Sequence, residues 1–143
     1  MSVNIHPTAI VHSGAELGTN VEIGPFCIVE ENVKIGDGSK LISHVVVQGH
    51  TTIGTHNEIH QFSSIGIAPQ DKSYKNEPTQ TIIGDGNLFR EGCTVHRATT
   101  KQDQVTSVGD NGYFMTGVHF AHDCHIGNNV VLANQTMCAG PVS

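Results

Sequence analysis

Ten of the 143 residues are histidine, and one short segment concentrates them. Residues 117–125 read Gly-Val-His-Phe-Ala-His-Asp-Cys-His, with His119, His122 and His125 three apart. Imidazole both accepts and returns a proton near neutral pH. A neighbouring carboxylate, here Asp123, can orient the ring and stabilise its charged form. Eighteen residues beyond His122 stands Gly140, whose backbone N–H no side chain shields. A neutral imidazole beside an open N–H makes a general base with an oxyanion donor. Two readings compete with this one. His122 could be a structural histidine, or the cluster could hold zinc. His6, His12, His44, His50, His56 and His60 are scattered, and each is read as solvated or stacked.

The residues that must position this cluster follow a period of six. Aliphatic side chains stand at Ile5, Val11, Leu17, Ile23, Val29, Ile35, Leu41, Val47, Ile53, Ile59 and Ile65. The register resumes at Ile83, Phe89 and Val95, and again at Val108, Phe114, Phe120, Ile126, Leu132 and Cys138. Small or β-branched residues recur four places after each, as at Val21, Cys27, Val33 and Val45. The two positions lie two apart across a hexad boundary, so they share one face of a strand. A helix of 3.6 residues per turn cannot keep a six-residue stripe on one side. A short strand and a corner, three to a coil, can. The chain is therefore expected to be all-β over residues 1–143: one parallel β-helix of triangular section with 18-residue coils.

In that frame His122 and Asp123 occupy a corner, where both side chains are expected to face outward, and Gly140 sits one coil above, about 4.8 Å away. Register breaks at 68–82 and 101–107 read as loops extruded from corners, either functional or merely tolerated. Phe26, His44 and Phe62, 18 apart, should stack as an outer ladder that suits a packing partner or is filled by its own loop neighbours. The four cysteines fall on inward positions and read as structural thiols.

Composition narrows the function. The net charge of −6 with no basic stripe argues against nucleic acid as partner. No apolar run is long enough for a membrane span. Residues 1–10 lack the basic and apolar pattern of a signal peptide, so a cytoplasmic location is expected.

More specific segments are Ile-His-Pro-Thr-Ala-Ile from Ile5, Ile-Gly-Pro-Phe-Cys-Ile from Ile23, and Ser-His-Val-Val-Val from Ser43. They continue with Pro-Gln-Asp from Pro69, Glu-Pro-Thr from Glu77, Thr-Val-His-Arg from Thr94 and His-Phe-Ala-His-Asp-Cys from His119. Together these resemble the acyl-carrier-protein–UDP-N-acetylglucosamine O-acyltransferases of lipid A synthesis. The resemblance implies a left-handed β-helix, a homotrimer with clefts between subunits, and no cofactor or metal. It implies transfer of a 3-hydroxyacyl group from acyl carrier protein to the glucosamine 3-hydroxyl of UDP-N-acetylglucosamine. His122 matches the base, Asp123 its support and Gly140 the oxyanion donor. Gln70, Asp71, His96 and His119 match cleft-lining positions. Ser73 and Pro141 depart from the family's usual Lys and His, and Lys72 is the lysine left beside Asp71. The chain also ends inside a hexad, so its last coil is expected to fray or to stack on another copy, with weak activity or none. A zinc enzyme of the trimeric β-helix carbonic anhydrase type and a non-catalytic trimeric scaffold are the alternatives.

Overall fold

The computed structural model describes residues 2–139. Among them are twenty short strands and no helix. The strands form three parallel sheets, two of seven strands and one of six, each taking every third strand of the chain. That is the topology of a three-faced coil, and the fold is a left-handed parallel β-helix. Ile23 pairs with Leu41 and Leu41 with Ile59, so the aliphatic positions stack directly above one another. These side chains are sealed inside: Ile23, Ile59 and Ile65 are at most 1% exposed. Each alternate residue points outward, as in Val33–Ile35, where Lys34 is exposed between two buried neighbours. The six-residue period is the strand's two-residue alternation interrupted by a corner.

The corners need backbone in the left-handed region. Asn20, Asn32, Asn111 and Asn129 adopt it, as do Phe26, His44 and Phe62 at one corner. Asparagine tolerates this conformation, and the aromatic residues gain ring contacts there. Phe26 and His44 have centroids 5.0 Å apart, and His44 and Phe62 5.2 Å, so the expected ladder forms. Gly24 meets a different constraint. A Cβ there would lie 1.7 Å from the Ile42 carbonyl oxygen of the next coil, so only glycine fits.

Three phenylalanines fill the interior near the histidine cluster. Phe114 lies 4.9 Å from both Phe89 and Phe120, and all three are fully buried. Cys27, Cys93 and Cys124 are buried and free, while Cys138 is half-buried. Burial pushes the Cys93 and Cys124 thiols up to about 11, as suits packing rather than reactivity.

The two loops are real but bounded differently from the sequence expectation. Gln80–Ile83 is a strand paired with His50–Ile53 and Val105–Val108, so 80–82 belong to the prism wall and not to a 68–82 loop. Val105–Val108 likewise leaves only part of 101–107 in a loop, which instead starts just after the strand Thr94–His96. The polar runs hid these strands. Thr51, Thr81 and Thr106 continue the inward stack above Val33, one to a coil, each fully buried. Partner positions that are 18 apart elsewhere become 30 and then 25 apart here, so 12 and 7 residues leave the wall.

Candidate active site

His119, His122 and His125 fan around one corner instead of converging. His119 lies on the second face, paired in register with Thr94 below it. His122 and Asp123 form the turn, and His125 begins the third face opposite Ser107. Each ring has its own partner. His119 Nδ1 shares a 2.6 Å hydrogen bond with Thr94 Oγ1. His125 is held by Ser107 Oγ at 2.7 Å and by Asp103 at 3.2 Å. His122 Nδ1 stands 2.8 Å from Asp123 Oδ2. Among the described residues no group of three or more His, Cys, Asp or Glu side chains is arranged to hold a metal ion. The three-residue spacing thus turns through the corner, which separates the rings that zinc would need together.

Asp123 corrects one expectation. Its side chain does not face outward with His122: it is 1% exposed, against 23% for His122. Asp123 adopts φ 67°, which swings the carboxylate under the loop that follows His96. There Thr99 grips it. The Thr99 N–H donates to Oδ1 at 3.1 Å and the Thr99 hydroxyl to Oδ2 at 2.5 Å. The Asp123 N–H donates to Thr106 Oγ1 at 2.9 Å. A carboxylate that accepts only is the natural partner for these donors, so the His122 proton facing it sits on Nδ1. That leaves the Nε2 lone pair of neutral His122 free to accept a proton.

Behind His122 lie two further imidazoles. His96 is buried, and its ring meets that of His119 edge-on at 4.9 Å. Burial first, then the nearby His119 and His122 charges, push His96 down to about 4. Burial also lowers His119. Both shifts favour the uncharged ring at pH 7.

The 68–79 segment and the 97–104 segment are clasped together. Arg97 donates from Nε to the Tyr74 hydroxyl at 2.9 Å and from a terminal nitrogen to the Gly66 carbonyl at 2.8 Å. The Thr79 hydroxyl donates to the Ala98 carbonyl. Asp71 Oδ2 pairs with Lys101 Nζ at 2.7 Å, while the Ser73 hydroxyl and N–H donate to Oδ1. These contacts hold the Asp71 carboxyl well below the usual carboxylate range. Gln70 and Lys72 are exposed on the same loop. The lysine beside Asp71 is thus Lys101 from the second loop, not the adjacent Lys72.

His96, His119, His122 and Asp123 therefore come together within one chain. Asp71 connects to them through Lys101 and Thr99, whereas Gln70 and Lys72 stand apart at the surface. Gly140 lies outside the described residues. Sequence reasoning missed Thr99, Lys101, Thr106 and Arg97. Three of them lie in loops outside the hexad register, where no spacing rule says what they cover. Thr106 falls in the polar run that reads as a loop, whereas it is an inward wall position.

No protein-family profile matches the chain. A curated relative, the acyl-[acyl-carrier-protein]–UDP-N-acetylglucosamine O-acyltransferase of Thermodesulfovibrio yellowstonii, is 49% identical over 138 residues, which is 96% of this chain and 54% of that protein. The LpxA structure from Acinetobacter baumannii superposes with a TM-score of 0.93 at 46% identity, covering 94% of this chain and 52% of the other. The UDP-N-acetylglucosamine acyltransferase of Francisella novicida gives 0.92 at 44%, covering 95% and 50%. The chain spans about half the length of the relatives it matches. The family resemblance carried by the motifs is thus borne out across nearly the whole chain.

Proposed function

We propose that this chain carries the acyl-transfer centre of a UDP-N-acetylglucosamine O-acyltransferase acting in the first step of lipid A synthesis. The observation that carries the reading is the His122–Asp123 pair, with Nδ1 bound to a buried carboxylate and Nε2 left free. In the reaction, His122 Nε2 takes the proton of the glucosamine 3-hydroxyl as that oxygen attacks the thioester carbon of a 3-hydroxyacyl carrier protein. Negative charge gathers on the former carbonyl oxygen, where the Gly140 N–H would donate. Asp123 stabilises the imidazolium formed meanwhile. Collapse expels the carrier thiolate, which recovers the proton from His122, leaving an ester and a free thiol.

Neutral His96 and His119 line the cleft as hydrogen-bonding groups. Gln70, Asp71 and Lys72 serve the sugar nucleotide, with Lys101 the further cation at Asp71. The active assembly is a cytoplasmic homotrimer with clefts between subunits, in keeping with the relatives' substrates and with the exposed aromatic ladder. Among the described residues no helix is long and apolar enough to cross a membrane.

The test is an acyl-transfer assay with UDP-N-acetylglucosamine and 3-hydroxyacyl carrier protein, with the ester identified by mass spectrometry. The chain should form the ester, however slowly. His122→Ala should lower the rate by about 10²–10⁴-fold. His125→Ala, whose ring is tied to Ser107 and Asp103, should leave it within about twofold, the small effect expected of a substitution outside the reacting centre. No ester from the parent chain, or equal rates with and without His122, would remove the proposal.

A further inference from the structure

We propose that Thr99 is the positioning residue of the catalytic pair: it holds the Asp123 carboxylate in the orientation that turns Oδ2 to His122 Nδ1. The inference deepens the acyl-transfer reading and rests on it for its purpose, but its geometry is independent of any substrate. Thr99 supplies both of its donors to this one carboxylate, N–H to Oδ1 and hydroxyl to Oδ2. Among the described residues, the carboxylate's hydrogen-bond partners are Thr99 and His122 alone. Thr99 is itself buried, at 3% exposure, so water cannot take its place.

The residue is also held from its other side. The Lys101 N–H donates to Thr99 Oγ1 at 3.2 Å, which occupies that oxygen as an acceptor and commits its own proton to Asp123. Lys101 in turn pairs with Asp71. A continuous path therefore runs from Asp71 in the first loop through Lys101 and Thr99 to Asp123 and His122. An ionised carboxylate buried at 1% exposure needs such donors to stay charged and still. Without the hydroxyl, Oδ2 would keep His122 and only a long 3.4 Å contact from the Thr99 N–H, and the imidazolium would become the stronger partner of an under-satisfied anion.

The measurement is the titration of the His122 ring, followed by NMR in the 143-residue chain labelled with ¹⁵N-histidine. The charged and titratable groups that act on or through that ring are Asp123 at its own corner and His96 and His119 on the second face. Thr99→Val should raise the His122 midpoint by about one pH unit. Thr99→Ser, which restores the hydroxyl, should return it close to the parent value. A folded Thr99→Val chain with an unmoved His122 titration overturns the proposal. A measurement on the parent chain guards against a variant that does not fold: the Thr99 amide proton, bound to the same carboxylate, must shift through the His122 transition. An amide that ignores that transition also overturns the proposal. Neither readout needs turnover, so loss of the acyl-transfer reading and loss of the Thr99 role can be told apart.

Discussion

At the scale of single residues, the candidate site gives three neighbouring imidazoles different surroundings. His122 keeps access to solvent and owns a carboxylate. His96 is enclosed and shares its space with two other rings. This has a consequence for stability. The folded value of His96, about 4, lies below the roughly 6.5 of a free imidazole, so the unfolded chain binds its proton more readily. The stability conferred by the neutral buried ring is whole above about pH 6.5 and is lost as the pH falls toward 4. Urea midpoints measured at pH 7 and pH 4.5 should therefore fall farther in the parent chain than in His96→Gln. Parallel losses in the two proteins would assign the acid sensitivity elsewhere. The corner explains why the order of residues matters here. Asp123 carries the left-handed backbone that an aspartate tolerates, and that single conformation turns its carboxylate inward while His122 stays outward.

At the scale of elements, strands of two to four residues hold only because each is paired with a neighbouring coil, all but the sheets' end strands on both sides, and filled from within. The wall beneath the site has an aromatic filling where the coils elsewhere have aliphatic ones. Phe114 touches Phe89 in the coil below and Phe120 on the adjoining face, so it joins the strand Tyr113–Phe114 to the strand His119–Phe120 that leads into the corner. Phe114→Ala should cost about 3–5 kcal/mol by lost burial and the cavity left behind. Denaturant unfolding should register that loss, and the His122 corner should show it as faster amide exchange. A loss below about 1 kcal/mol would mean that the coils repack, contrary to the interlocked geometry described. The loops are elements of another kind. They have no period, and their order comes from Arg97, Thr79 and the Asp71–Lys101 pair, which clasp one loop to the other.

At the scale of the whole molecule, Phe26 and Phe62 remain 57% and 66% exposed on either side of His44. An apolar edge of this kind is better covered than wet, and closed cyclic association covers it without leaving a free end. We expect light scattering to give about three times the mass of one chain. Phe26→Ser with Phe62→Ser should shift the population toward monomer while the coil's circular dichroism is kept. A parent chain that stays monomeric at micromolar concentration would defeat both the ladder's assigned role and the shared cleft.

The coil was legible in the sequence because its cause is local and repeated. Each hexad independently places an aliphatic residue inward, so the period survives any single irregular position. His122 and Asp123 were legible because two numbers, the hexad and the coil length, assign them to one corner. What the tertiary structure decided lies where that repetition stops. Thr81 and Thr106 are wall residues because their neighbours in the stack are, although the polar runs around them read as loops. Asp123 is buried because Thr99, 24 residues earlier, arrives to cover it. Lys101 reaches Asp71 across 30 residues. Contacts between two aperiodic loops depend on where both chains of atoms come to rest, and no interval in the sequence carries that information.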